Sequence, residues 1–492
     1  MLDNIKSSII LKKIFGNIMY RRQLNIIKLN KRIKKRLNIT KEDYDKFILE
    51  EFNFMYNLNI DINIKEYEVK DKYITNKGLK YLNAVKFNNL NKLNLYWNYI
   101  SDISILDKEN YKELKELNLG KNEISDISIL EKVNFNELNK LDLSQNRISD
   151  INVLEKSNLK NLKELNLKSN NISNISILNL PELNILNLSH NRISNINVLE
   201  KSNLKNLKQL DLSSNELSNL DDFKNLNLRE LNILALTDNG ISDINVLQEI
   251  NFIKLKELYL NCNLLSNLNE FKNSNFKELN ILDLSKNKII NINGLEQGNF
   301  NELNKLDLCN NIISDISILE KLNLPELNIL NLSHNRISDI NVLEKSNLKK
   351  LKELNLKSNN ISNISILNLP ELNILNLSHN RISNIYGLEK SNLKNLKQLY
   401  LNSNKISYIN ILEKVNFPEL NILNLSYNKI SNIDVFEKIN LIELHFAGYK
   451  ISDASIFVKV KFKYLKKLDL SNNLLSYPTY HYSSGFPSEV DW

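Results

Sequence analysis

The chain has 492 residues, and Asn makes up about 18% of them, far above ordinary usage. Lys and Arg number 65 against 57 Asp and Glu, a formal net charge of +8. A hydrophobic content of 42% is enough for a continuous core and excludes a disordered Asn-rich tract. No run approaches the ~18 apolar residues that a membrane-spanning helix needs. Cys262 and Cys309 are too few for a disulfide framework, which fits a reducing, intracellular setting. The opening MLDNIKSSIILKKIFGN is cut by Lys12 and Lys13 before a secretory apolar core could form. The expected location is the cytoplasm, or the nucleus.

The positive charge is local. Residues 1–40 hold 11 basic side chains and one acid, Asp3, which is +10. The remainder therefore has 65 − 11 = 54 basic and 57 − 1 = 56 acidic residues, or −2. A body of that balance has no global field for nucleic acid, and no nucleic-acid partner is expected. Apolar residues in the first segment recur at helical spacing: Leu11, Phe15, Ile18 and Met19, then Leu24 and Ile27, then Ile33 and Leu37. The order L-x-x-I-F-x-x-I, a basic pair, a second apolar helix and N-K-R resembles an F-box. That resemblance implies a cullin-adaptor protein as partner and a substrate-recognition role in a ubiquitin ligase. The same residues also read as a helical cap. KRIKKR (31–36) reads either as a nuclear-import or nucleic-acid patch or as a solvated helix face. Thr40 and Asp43 signal a helix start, with the helix at about 41–51.

From Leu90 onward the pattern L-x-x-L-x-L-x-x-N-x-[IL] recurs in seventeen copies, thirteen steps of 24 residues and three of 21. Residues 135–194 return at 324–383 with six differences in sixty positions, an offset of 189. In LKELNLKSNNI (162–172), Leu165 and Leu167 share one face of a strand. Asn170 stands where the chain must turn, and its amide can satisfy backbone groups that the turn leaves unpaired. Each repeat is too small to bury its own leucines, and stacking buries them at roughly 1.5–3 kcal/mol per Leu. Segments such as ISDISILEKVNF (124–135) predict one or two short helical turns on the outer side.

The LxxLxLxxNxIsdI pattern resembles the leucine-rich repeat superfamily, most closely the class shared by bacterial internalins and a phosphatase-1 regulatory subunit. The resemblance covers about 64–475. It implies an α/β solenoid, a curved horseshoe with a parallel sheet on the concave face, short helical turns on the convex face and a small α-helical N-terminal region. Three parts are expected: a basic helical region 1–59, the array 60–475 with a degenerate first repeat near 64, and an aromatic tail 476–492. In the degenerate repeat Lys72 takes the Asn position, and in the copy at 441 Tyr449 does. The tail either folds over the last repeat or stays loose.

No catalytic constellation emerges, and no enzyme activity, cofactor or metal is expected. His190, His334 and His379 share the slot before the turn Asn. His334 and His379, two repeats apart, stand ~10 Å from each other at the usual strand spacing, too far to share a metal. His445 and His481 lack ligand-like spacing, and the two cysteines have no C-x-x-C. What remains is surface. The residue before the first strand Leu is Ile185, Ile233, Ile281, Ile329, Ile374 and Ile422 in every second copy from 183. Aligned apolar residues bordered by polar ones imply a protein-binding strip on the concave face, with Tyr96, Trp97, Tyr259 and Tyr400 as anchors. The other reading is that neighbours cover these isoleucines, or that duplication copied a harmless residue. The expected function is a non-catalytic protein-binding scaffold. Its alternatives are the F-box-like ligase subunit and, by class analogy, a phosphatase regulatory subunit.

Overall fold

The computed structural model describes residues 15, 30–56, 63–68, 70–85, 87, 89–104, 106, 111–250, 252–449, 451, 457, 460, 462, 464–474 and 489–491. The segment that carries most of the F-box resemblance, 11–29, lies outside the described residues except for Phe15. The chain forms two compact units. One comprises 1–217 with 225–231, the other 218–224 with 232–492.

The first unit begins with helices. Helix α1 (Lys31–Leu37) starts at Asn30, whose side chain accepts the N–H groups of Arg32 and Ile33 at 3.1 and 3.0 Å. Helix α2 spans Lys41–Tyr56, five residues longer than the sequence suggested. The expected capping box is present: Asp43 N–H donates to Thr40 Oγ1 at 3.1 Å, and Thr40 N–H donates to Asp43 Oδ2 at 2.9 Å. Ile48, Leu49 and Phe52 bury one face of α2. Its last residue meets α3 (Asn76–Asn83) at Gly78, where a Cβ would lie 2.3 Å from the Tyr56 hydroxyl. Helix α2 thus packs against α3.

The repeats of this unit contribute three-residue strands paired in parallel, in unbroken order from Glu66–Glu68 to Gln209–Asp211. The degenerate first repeat is a true member, with Tyr67 in register with Leu93. The second unit repeats the arrangement from Ile233–Ala235 to Lys467–Asp469. The end of the tail adds one more strand, Glu489–Asp491, with Val490 in register with Leu468. So residues 489–491 do fold onto the last repeat, while 475–488 lie outside the described residues.

In the copies from Leu90 onward both strand core positions are buried, as Leu165 and Leu167 are at 1% and 0% exposure, with Phe446 as the second in the copy at 441. The outer segments form short 3-10 turns, such as Ser128–Glu131 and Asn341–Glu344, with one four-residue α-turn at Val153–Lys156. Asp or Asn opens these turns except at Asn410–Glu413, where Tyr408 holds the position. Asp126 Oδ1 accepts Ser128 N–H at 2.7 Å, and Asn195 Oδ1 accepts Asn197 N–H at 2.9 Å. This explains the D/N in the I-S-[DN]-I motif, which the pattern alone left unassigned. The 21-residue copies at Leu162 and Leu351 have no helical turn, and the three missing residues come from this outer segment.

The turn asparagines tie successive layers together. Asn335 Nδ2 donates to Leu332 O in its own repeat at 3.1 Å and to Leu308 O in the preceding one at 3.0 Å. Its Oδ1 accepts Ile313 N–H from the preceding repeat at 3.0 Å. Asn170, Asn263 and Asn404 do the same in their layers. The residue before each Asn is left-handed, with φ of 53–58° wherever it is not glycine. There its N–H reaches the next layer, as His334 N–H does to Lys357 O at 2.8 Å. The shared histidine slot is thus a backbone position with a special conformation. Where Tyr449 replaces Asn, its hydroxyl donates to Leu425 O and its ring stacks on Phe446 with centroids 3.9 Å apart. Gly448 precedes it, and a Cβ there would strike the Tyr427 ring at 2.3 Å.

Replacing Asn335 with Ala orphans Ile313 N–H and takes one donor each from Leu308 O and Leu332 O, which keep Asn311 and Asn359. At roughly 1–3 kcal/mol per unsatisfied buried group, Asn335→Ala is expected to cost about 2 kcal/mol or more. Urea unfolding of the full chain measures it. Asn335→Ser, with one hydroxyl, recovers only part of the loss.

Candidate protein-interaction face

The strand pattern half-exposed, buried, half-exposed leaves two columns of side chains facing away from the leucine core. In the first unit, one column is a row of alternating charges closed into ion pairs. Lys92 Nζ lies 2.9 Å from Glu116, and Lys140 Nζ lies 2.5 Å from Glu164. Ile185 follows in register with Glu164. The second unit differs. Its column runs Ile233, Glu257, Ile281, Lys305, Ile329, Glu353, Ile374, Gln398 and Ile422, each in register with the next. These isoleucines are intermediate in exposure, neither in the leucine core nor fully exposed. Among the described residues, Lys305 and Glu353 make no ion pair.

A shallow depression lies over this column, lined by Asn304, Asn328, Ile329, Lys352, Glu353, Asn373 and Ile374. The second column supplies Tyr259 and Tyr400. Tyr259 donates to Glu257 at 2.7 Å and Tyr400 to Gln398 at 2.8 Å, so each phenol is tied to the residue two before it on the same face. Burial, then the bond to Glu257, pushes the Tyr259 phenol up to about 12. Tyr96 and Trp97 stand elsewhere, in the first unit, past the end of the strand Lys92–Asn94. Trp97 has a φ of 58° and carries Lys121 Nζ 3.4 Å from its ring centroid. The sequence grouping of these aromatics with Tyr259 and Tyr400 is therefore not a grouping in space within one unit.

Further polar chemistry sits between the leucines. Asp283 and Asp307 are neighbours in register. Burial, then the nearby Asp307, holds the Asp283 carboxyl above its usual range, against the pull of Ser285 N–H at 2.9 Å. Asn331 Nδ2 donates to both oxygens of Asp307, each at 3.1 Å. Burial and the adjacent Asp307 raise the Cys309 thiol, so it is not an activated nucleophile. His445, unremarkable in sequence, has Nε2 2.7 Å from Glu443 and Nδ1 3.1 Å from Asp469, with Lys467 Nζ 3.2 Å from Glu443. Its partners are two residues before it and one repeat after it, a spacing visible only once the repeat register is known. Among the described residues, no group of three or more His, Cys, Asp or Glu could hold a metal ion, and no helix is long and apolar enough to cross a membrane.

A family model for "Leucine rich repeat" matches residues 136–193 and 325–382, a two-copy model matches 370–414, and a single-repeat model matches 206–226. With the repeating strand, ladder and outer turn described above, these matches give the chain a leucine-rich repeat fold. Comparison with curated proteins gives no match. Among solved structures it is similar to a leucine-rich repeat protein of Leptospira interrogans, at 25% identity and a TM-score of 0.63, covering 77% of this chain and 96% of that one. It also resembles the functional domain of InlJ from Listeria monocytogenes, at 22% identity and a TM-score of 0.54, covering 74% of each chain. The Drosophila Toll–Spätzle complex gives 24% identity and a TM-score of 0.58 over 74% of this chain and 50% of that one. These last two likenesses are of fold alone.

Asp283 offers a direct check on the electrostatics of the face. A carboxyl whose folded pKa is raised favours the folded state at acid pH and loses that contribution as pH rises through the folded value. Asp283→Asn keeps an acceptor for Ser285 N–H and removes the charge. It is expected to raise the unfolding midpoint at neutral pH, and the gain should vanish as pH falls below the usual carboxylate range.

Proposed function

We propose that this chain is a non-catalytic scaffold that binds a protein partner on the outward face of the sheet in its second unit. Leucine-rich repeat arrays present extended surfaces of this kind. The observation that carries the reading is the alternation of half-exposed isoleucines with Lys305 and Glu353, which make no ion pair among the described residues. A merely solvated face would resemble the first unit, where Lys140 is paired with Glu164. The residue 189 positions after Lys140 is Ile329, so the two copies of the repeated block differ here in the direction of an apolar contact.

In this reading Ile233, Ile281, Ile329, Ile374 and Ile422 supply the apolar contacts, and Tyr259 and Tyr400 are rigid anchors beside them. Lys305 and Glu353 select a partner with an acid and a base at matching positions. Ile185, Tyr96 and Trp97, in the first unit, are contacts of the same type and are assigned no common site with these.

The test replaces Ile233, Ile281 and Ile329 together by Asp in the full chain, with affinity capture of partners from cell extract. At about 1–3 kcal/mol per central apolar contact, capture is expected to fall at least about 100-fold while circular dichroism stays unchanged. Undiminished capture by the folded triple variant sinks the proposal.

A further inference from the structure

A second surface of the same unit has its own chemistry. The ninth residue after the first Leu of each repeat follows the ladder Asn and points outward at the edge where the chain leaves the strand. In three successive repeats it is Arg381, Lys405 and Lys429, all exposed. Their N–H groups donate to Ile361 O, Ile382 O and Ile406 O at 2.9, 2.8 and 2.8 Å, so the three stand in adjacent layers, about 4.8 Å apart. None makes an ion pair among the described residues. Along this edge, from Lys357 through Ile433, the chain places no Asp or Glu between each strand end and its outer turn. The first unit again provides contrast, since Arg147 in the same column is met by Glu123 at 3.3 Å.

Exposed aromatics accompany these cations. Tyr386, Tyr408 and Tyr427 are 62%, 74% and 48% exposed. The chain carries its own reference for this edge. At the positions 189 residues earlier stand Asn197, Asn219 and Asp238 in place of the tyrosines, and Glu216 and Gly240 in place of Lys405 and Lys429. Arg192 alone matches, at Arg381. Two blocks of one repeat plan thus differ at every one of these positions but one. Since both blocks fold, these side chains are not required by the fold.

We infer that the edge formed by Arg381, Lys405 and Lys429 with Tyr386 and Tyr408 is a docking surface for an acidic segment of a protein partner. Three aligned cations with no acid beside them complement carboxylates spaced along an extended chain. The tyrosines add rigid contact area of the type that protein interfaces favour. Single-stranded nucleic acid fits less well. Bases stack on aromatics in series, whereas these three tyrosines occupy three different columns and the Tyr427 hydroxyl is already held by Asn472 at 2.8 Å. The surface is separate from the isoleucine column and does not depend on it.

The test uses the full chain and fluorescence anisotropy with three probes: a labelled peptide of alternating Glu and Leu, its Gln-for-Glu counterpart, and an oligothymidylate of equal length. The acidic peptide is expected to bind, more weakly as salt is added. Lys405→Glu with Lys429→Gly, and Tyr386→Asn with Tyr408→Asn, install residues the fold already carries at 216, 240, 197 and 219. Each pair is expected to weaken binding by about tenfold. Ile329→Asp with Ile374→Asp should leave it unchanged, which separates this surface from the isoleucine face. The inference is overturned if the acidic peptide does not bind, if either edge variant binds it as well as the parent, if the isoleucine variant loses it, or if the Gln peptide or the oligothymidylate binds equally well.

Discussion

The structure depends on a single side-chain amide used in layer after layer. A three-residue strand followed by a sharp turn leaves carbonyls and an N–H facing inward with no water to meet them. The ladder Asn answers with two donors and one acceptor, spent on its own repeat and the one before. Few side chains could do this. Asp lacks the donors, Ser and Thr have one, and Gln reaches too far. The bond across layers also fixes register. A repeat that slipped by one residue would lose the amide contacts together with the leucine seam. The preceding residue must be left-handed to aim the Asn, and such a backbone costs roughly 1–2 kcal/mol for a residue with a Cβ. The array accepts that cost in nearly every layer instead of using glycine.

Tyr449 shows what the constraint requires and what it tolerates. Its hydroxyl reaches one of the carbonyls an Asn would have served, and stacking on Phe446 replaces part of what the amide would have contributed. Elsewhere among the described repeats the slot departs from Asn only at Lys72, in the degenerate first repeat. Gly448 beside it is the one glycine in the left-handed slot, forced by the Tyr427 ring lying against it.

The repeating core was readable from residue types and spacing because every layer asks the same question. Leu165, Leu167, Asn170 and Ile172 could be assigned from periodicity and the hydrogen-bonding capacity of an amide. The capping box at Thr40 was readable because it is local. Other features were not. The helix α3 has no strong start signal, since Thr75 makes no side-chain cap bond. The Asp or Asn of I-S-[DN]-I had no assigned role until its bond to the N–H two residues on was seen. Contacts between repeats that depend on register, such as His445 with Asp469, are separated by 24 residues in sequence and resemble nothing in a linear motif. The basic edge escaped for a similar reason. Arg381, Lys405 and Lys429 are scattered in sequence, the body's overall balance of −2 conceals them, and only the layer register brings them into one row.

The same logic separates what the fold needs from what it permits. Core positions are held by stacking, so a change in one layer is felt by both neighbours. Outward positions on the sheet and edge have no such tie. Lys140 and Ile329, or Glu216 and Lys405, sit in equivalent backbone settings with opposite chemistry. A difference between two copies of one block at such positions cannot be attributed to folding, because each copy demonstrates that the other's residue is dispensable. The differences nevertheless fall together: apolar residues and unpaired charges on the sheet face, cations and tyrosines on the edge, both in the second unit. Independent drift of harmless surface residues would scatter the signs of charge along the edge, as the first unit does with Glu123 opposite Arg147. A run of cations in adjacent layers with no ion pair among the described residues is a charge pattern that an acidic partner would complement.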